Sequence, residues 1–284
     1  MRKINTLIFI FLISFNFFGQ NKPAYKLYNV KGHKVSYQNM IKKLRKANVV
    51  LFGEYHNNPI SHWLELEVTK DIYKTKNLVL GAEMFEADNQ TALNNYLSGK
   101  ITEKGLDTLA RLWKNFKTDY KPLVDFAKKN KLKFIATNVP RRYASLVYKK
   151  GFLALNSLPK NEKLWIAPLP INYNATLPGY VKMKAMMGGH GGDNLPKAQA
   201  IKDATMAYFL SKNLKNNSVF IHYNGSYHSD NFDGIYWHIK QTNPKLNIKT
   251  ISIVEQQNVK KFNKENKGLA NFIIVVDESM TKTY

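Results

Sequence analysis

The stretch NVVLFGEYHNNPISHWLEL, residues 48–66, decides how the chain is read. Its apolar run ends at Gly53, and Glu54 and His56 follow two positions apart. His62 comes six residues after His56, at the start of a helical pattern. A continuous apolar run, as opposed to an alternating one, marks a strand buried on both faces. A carboxylate and an imidazole at the mouth of such a strand need partners or a function, because buried charge without a partner is costly.

The same rhythm recurs along the chain. NLVLGAEMF (77–85), KFIAT (133–137), LWIAPLP (164–170), SVFIHYNG (218–225), IKTISIV (248–254) and NFIIVVD (271–277) read as further strands. Between them, ISHWLELEVTKDIYKT, YKPLVDFAKKN, RRYASLVYKKG and PKAQAIKDATMAYFLSKNL carry helical apolar faces. The expected fold class is therefore α/β, a large, mostly parallel sheet flanked by helices. Two regions interrupt the alternation. Residues 87–120 look helical without a strand, and residues 178–197 hold the cluster Met183, Met186 and Met187 and a glycine-broken stretch. Both are expected to form a small helical lobe over one end of the sheet.

The chain has 284 residues, no cysteine and a formal net charge of +23. Disulfides, thiolate metal sites and cysteine nucleophiles are excluded. Residues 1–20 have Arg2 and Lys3 before an apolar stretch from Leu7 to Phe18, the pattern of a signal peptide, although an uncleaved anchor has the same features. Removing them takes the charge from +23 to +21 and leaves residues 21–284 as one domain, expected to be soluble and exported. The lysines are spread along the whole chain, in pairs such as Lys42-Lys43 and Lys260-Lys261, and no arm concentrates them. That pattern argues for a solvated basic surface biased toward anionic small molecules, not for a nucleic-acid partner.

In open α/β sheets, ligands sit beyond the carboxyl ends of the strands. Glu54 and His56 follow the first core strand, Glu83 lies near the end of the second, and Asn138 follows the third. Tyr173 follows 164–170, and Gly225 and His228 end HYNGSYH. A parallel sheet would bring Glu54, His56, Glu83 and His228 toward one point. Imidazoles and carboxylates together are a ligand set for a divalent transition metal and, equally, a set for acid/base work.

LFGEYHNNPISH, LGAEMF, DYKPLVDFAKKNKLKFIATNVPRRYA, KAQAIKDATMA and HYNGSYH, in that order, resemble the ChaN-type haem-binding proteins. These belong to the superfamily of the Tiki proteases and erythromycin esterases, and the resemblance runs from about residue 45 to 255. It implies a large α/β domain with a helical lobe. It also implies an exported protein of haem or iron acquisition that works with outer-membrane uptake machinery. Such a protein would hold haem between two subunits through a tyrosine, with a histidine nearby. Relatives often carry a lipid anchor; a chain without cysteine is expected to lack one and to reside in the periplasm, at the outer-membrane periphery or outside. In the enzymatic branches, the positions matching Glu54, His56, Glu83 and His228 form the active site, which is metal-dependent in the Tiki branch.

Tyr173, Tyr180 and His190 lie beside the methionine cluster and are the expected haem-face residues, although both tyrosines could equally pack the lobe onto the sheet. Arg141, Arg142 and Lys184 are candidate propionate partners. The rival to haem uptake is a metal-dependent hydrolase of a peptide or ester that uses Glu54, His56, Glu83 and His228. A third reading makes those four residues a hydrogen-bonded network that fixes loops.

Overall fold

The computed structural model describes residues 22–186 and 192–284. The expected signal segment and His190 therefore lie outside the described residues. Seven strands form one sheet: β1 (Tyr25–Asn29), β2 (Val49–Glu54), β3 (Asn77–Glu86), β4 (Lys133–Asn138), β5 (Ser218–Gly225), β6 (Ile248–Gln256) and β7 (Phe272–Asp277). Their order is β1-β7-β6-β2-β5-β3-β4. All neighbours run parallel except the β1–β7 pair. The α/β class expected from the alternating pattern is the one found.

Helices α1 (Tyr37–Leu44), α2 (Pro59–Tyr73), α3 (Gln90–Leu97), α4 (Glu103–Leu109) and α5 (Lys121–Lys129) precede β4. Helices α6 (Arg141–Lys150), α7 (Pro178–Met186) and α8 (Asn194–Lys212) lie between β4 and β5, and α9 (Gly234–Thr242) precedes β6. Among the described residues, no helix is long and apolar enough to cross a membrane.

Strand β2 shows why its sequence is continuously apolar. Val50 and Phe52 pack with Met40, Leu64, Val68 and Val124 on one face, while Val49 and Leu51 pack with Met206, Leu210, Ile235 and Ile239 on the other. Side chains alternate across a strand, so only a sheet covered on both sides asks every position to be apolar. Helix α2 starts where Asn58 Oδ1 accepts from the Ile60 and Ser61 amides and Pro59 takes the first turn. This start turns His62 and Glu65 inward, below the end of β2.

Two strand readings need correction. Residues 164–170 are not a strand: a 3-10 turn at Glu162–Trp165 runs into irregular backbone with a cis Leu169–Pro170 bond. Pro168 and Pro170 have no N–H to give to a ladder, so the run cannot serve as a central strand. Its apolar side chains are nevertheless used, because Ile166 and Ala167 pack with Tyr143, Val147 and Ile201. Tyr173 accordingly follows a loop. The strand that the sequence pattern did not mark is β1, a five-residue edge strand antiparallel to β7.

A Cβ on Gly53 would come 2.9 Å from Ile251 O and 3.0 Å from Ser226 Cα, both backbone atoms that cannot swing aside. Gly53→Ala is expected to destabilise the protein by about 1–3 kcal/mol. Urea unfolding followed by circular dichroism measures this, and an unchanged midpoint would mean that the strand ends tolerate separation.

Candidate functional site

Register fixes which side chains meet. Glu54 of β2 is paired with Gly225 of β5, and Ala82 of β3 with Tyr223 of β5, so Glu54, Glu83 and Gly225 share one layer at the carboxyl edge. Gly225 is required there. A Cβ on it would stand 2.8 Å from His56 Cε1 and 2.9 Å from His56 Nε2. The His56 ring therefore lies over the end of β5, and Glu83 Oε2 stands 3.4 Å from the same Cβ position.

Around this edge the titratable groups form two sets. In the first, Glu54 Oε1 accepts from His56 Nδ1 and from the Tyr120 hydroxyl, each at 2.7 Å. Behind it, His62 Nδ1 lies 3.1 Å from Glu65 Oε2, and His62 Nε2 donates to His56 O at 3.0 Å. Burial and the Glu54 charge push the Glu65 carboxyl well above its usual range. Burial would also raise Glu54, but the His56 hydrogen bond and the His62 charge leave it below its usual range. Glu54 Oε2 and Glu65 Oε1 are buried without a hydrogen-bond partner among the described residues. Burial opposes charge on His56, yet the Glu54 hydrogen bond and the Glu83 charge raise its pKa. Residues of the expected lobe segment 87–120 close over this set: Trp113 meets the His56 ring edge-on at 4.8 Å, and Asn115 donates to His56 O at 2.9 Å. Thr283 joins from the far end of the chain, donating to Asp119 Oδ2 at 2.9 Å.

The second set is a chain of buried groups. Glu83, 6% exposed, accepts the Gly225 amide at 2.7 Å on Oε2 and His228 Nε2 at 3.1 Å on Oε1. His228 Nδ1 donates to Asp203 Oδ1 at 2.5 Å, and Asp203 Oδ2 accepts the Tyr180 hydroxyl at 2.8 Å. Burial disfavours charge on His228, but the carboxylates of Glu83 and Asp203 raise its pKa to about 9. Burial likewise opposes the Glu83 charge, and the His228 imidazolium overcomes it, so Glu83 stays ionised far below its usual range. Gln199, one turn before Asp203 on α8, lays its amide 3.0 Å from His228 Nδ1.

The four residues expected at one point lie at one mouth, as two carboxylate–imidazole pairs, Glu54 with His56 and Glu83 with His228. Both His228 nitrogens face carboxylates. Among the described residues, the group whose ligand atoms come together is Glu54, His62 and Glu65. Asn138 donates to Glu83 O at 3.0 Å and supports the strand end.

The expected haem-face residues are placed unevenly. Tyr180 is 3% exposed and stacks on the half-buried Tyr173 at 5.7 Å. Burial and the Asp203 carboxylate raise the Tyr180 pKa, which holds it as a neutral phenol. Arg142 is committed to Asp88 at 2.8 Å, and Lys184 to Asp193 at 2.5 Å. Arg141 is exposed at the start of α6. The sequence reading passed over Tyr227, which is 43% exposed beside the mouth, with its hydroxyl 3.0 Å from Met186 Sδ. It also passed over Tyr120, Glu65 and Asp203. Asp203 had a usable signal, since its i, i+4 spacing from Gln199 puts both polar side chains on one helix face.

A parallel α/β sheet with a covered, polar mouth at its carboxyl edge defines the class of protein. The family model for haem-binding uptake proteins of the Tiki superfamily, ChaN, matches residues 40–239. The chain belongs to that family. Its fold is similar to that of the Campylobacter jejuni ChaN, whose structure shows cofacial haem binding. The two share 18% identity over 89% of this chain and 97% of that one, at a TM-score of 0.66. A Bacillus cereus protein shares the fold at 11% identity over 84% of this chain and 90% of that one, with a TM-score of 0.52. Protein RETICULATA-RELATED 5, chloroplastic, of Arabidopsis thaliana is 28% identical over 44% of this chain and 18% of its own length. The chain thus spans under a fifth of that relative.

Two outcomes test the site. A histidine whose folded pKa is raised stabilises fully below its unfolded value of about 6.5 and loses that contribution as pH rises through about 9. The stability gap between the parent and His228→Asn is therefore expected to shrink by on the order of 3 kcal/mol between those pH values, read by urea unfolding. A constant gap would mean that His228 is neutral. Gly225→Ala is expected to push the His56 ring off Glu54 and return its pKa toward the usual histidine value in an NMR titration, whereas an unmoved pKa would show that the ring does not rest on β5.

Proposed function

We propose that this protein binds haem for uptake, with a tyrosine of the strand-end mouth as iron ligand, and that it acts after export as a dimer with haem at the contact. Family membership supports the haem assignment. One observation carries the choice of ligand. Tyr227 stands exposed at the mouth, its hydroxyl beside Met186, which is 67% exposed. An exposed apolar patch of this kind marks a binding surface, and methionine packs well on a flat aromatic ligand. Lys182 lies 6.0 Å from the Tyr227 ring centre, where an ammonium can meet a propionate. Phenolate ligation of haem iron is an established mode. Tyr173 is the next most accessible candidate. Tyr180 would have to give up Asp203 and lose its cover first. The outer-membrane uptake machinery, as a partner, fits a protein that hands haem on.

A second reading rests on the His56–Glu54 pair. Glu54 orients Nδ1 of a partly exposed imidazole, and Nε2 faces the mouth beside Glu83, which is the arrangement of a general base. A hydrolase of a peptide or ester would use it, with Glu83 and His228 shaping the charge of the mouth. A divalent transition metal would take Glu54, His62 and Glu65, whose facing oxygens lack other partners, and would supply positive charge there.

A visible-spectrum titration with haemin decides between the readings. The parent is expected to bind saturably with a high-spin tyrosinate spectrum that Tyr227→Phe removes and Tyr180→Phe leaves. If Tyr227→Phe keeps the spectrum and Tyr173→Phe loses it, the ligand is Tyr173. Without saturable binding, and with near-stoichiometric metal that His62→Ala releases, the hydrolase reading stands.

A further inference from the structure

At the amino edge of the sheet, opposite the mouth, lies a cavity of about 370 Å³. It opens between the turn after β1, the last turn of α1 and the first residues of β6 and β7. Its polar lining is Asn29, Lys31, His33, Lys43, Lys249 and Asn271, with no carboxylate. The mouth lies at the carboxyl ends of the parallel strands, so the length of β6 and β7 separates the two places. The volume suits a small molecule or a head group.

Two observations point to the ligand's chemistry. The first is that the side-chain amides have only donors to give. Asn29 Oδ1 accepts the Lys31 amide at 2.9 Å and the His33 amide at 3.0 Å, and Asn271 Oδ1 accepts the Thr250 amide at 3.0 Å. A backbone N–H needs an acceptor, so these bonds fix the oxygen end of each carboxamide and leave its NH2 for a ligand. The carbonyls of the turn are occupied as well: Asn29 O, Val30 O and His33 O accept the Gly32, Gly268 and Asn29 amides. The turn is held in this form, because Gly32 stands at φ +82° and Phe262 Cδ1 lies 2.7 Å from where its Cβ would be. The second observation is charge. Lys31, Lys43 and Lys249 gather here, while the lysine ion pairs among the described residues are all made by other lysines. Every Asp and Glu of the chain is among the described residues, so no acidic side chain pairs with this cluster. Lys43 lies over the Phe272 ring at 5.9 Å, and the last carbonyls of its helix, Ile41 O, Lys43 O and Leu44 O, accept the Arg45, Lys46 and Ala47 amides. Like charges gathered without a counter-charge repel one another, and a bound anion removes that repulsion.

We propose that this cavity is a second ligand site, for a phosphate monoester group. The ammonium groups of Lys31, Lys43 and Lys249 neutralise its charge, and the amides of Asn29 and Asn271 donate to its oxygens. A carboxylate carries a single charge, whereas a phosphate monoester carries close to a double charge and more acceptor oxygens, which matches the number of donors. Lysine binds phosphate as a point charge. The site is independent of the haem reading. Calorimetric titration of the full chain with glycerol 3-phosphate, and co-sedimentation with equimolar phosphatidylcholine–phosphatidic acid vesicles, test it. Saturable binding of one of these probes is expected. It should be about tenfold weaker for Asn271→Asp, which keeps an oxygen on the Thr250 amide and replaces the donor by a second oxygen. Lys31→Gln, Lys43→Gln and Lys249→Gln together should weaken it at least as much. A control with Lys104→Gln, Lys117→Gln and Lys160→Gln, exposed lysines outside the lining, has the same net charge and should bind as the parent does. Calorimetric saturation without vesicle binding assigns a soluble ester. Vesicle binding that phosphatidylcholine alone does not give assigns a lipid head group. Lack of saturable binding of either probe overturns the proposal. Equal weakening in the two triple variants also overturns it, because net charge alone would then account for binding, and so does displacement of the probe by haemin. Since the three lysines are unpaired, their variant remains informative even if Asn271→Asp fails to fold.

Discussion

One imidazolium holds the centre of the molecule together. His228 sits between Glu83 of β3 and Asp203 of α8, all three buried, and binds a strand, a helix and the turn after β5 into one unit. Removing one member of such a set leaves an uncompensated buried charge, a loss of about 3–5 kcal/mol, whereas the complete set is close to neutral against an apolar core. The arrangement therefore specifies more than it stabilises. Glu83 has one oxygen on His228 and the other on the Gly225 amide, so the end of β5 cannot slide against β3. The Gly225 backbone, placed in this way, leaves space over the end of β5 for the His56 ring.

The two sets at the mouth differ in what they can still do. Asp203, His228 and Glu83 satisfy each other and leave no free lone pair on the imidazole. Glu54, Glu65, His62 and His56 are less closed. Glu54 and Glu65 each keep one buried oxygen without a hydrogen-bond partner among the described residues, and His56 keeps one nitrogen facing outward. The mouth is thus divided into one rigid half and one half with spare valence. The chemistry available at the mouth belongs to the second half.

Much of this was legible before the structure. The continuous apolar runs gave six of the seven strands, because a doubly covered parallel sheet leaves an unmistakable pattern, and the polar residues just past those runs gave the mouth. The failures have physical causes. Residues 164–170 are as apolar as a strand, but Pro168 and Pro170 remove the donors that a strand needs, and composition alone does not show that. Strand β1 is short and sits at an edge, so few of its residues must be apolar. Glu65 was hidden within the polar face expected of any helix, although α2 turns its first two turns inward. Asp203 lay in plain view in KAQAIKDATMA, but its partner His228 is 25 residues away along the chain, and only the sheet brings them together.

The tyrosines show why residue type and position do not by themselves assign a ligand. Tyr180 and Tyr227 both lie beside the methionine-bearing helix α7, and both are phenols within reach of the mouth. To bind iron as a phenolate, a tyrosine must lose its proton. Tyr180 donates that proton to a buried carboxylate, and losing it would set two negative charges against each other in a site that water does not screen. Tyr227 donates only to a thioether, the weakest of acceptors, and has water on its other side. The same buried network that makes Tyr180 part of the frame ties its hydroxyl to Asp203, whereas the Tyr227 hydroxyl lies at the surface beside Met186.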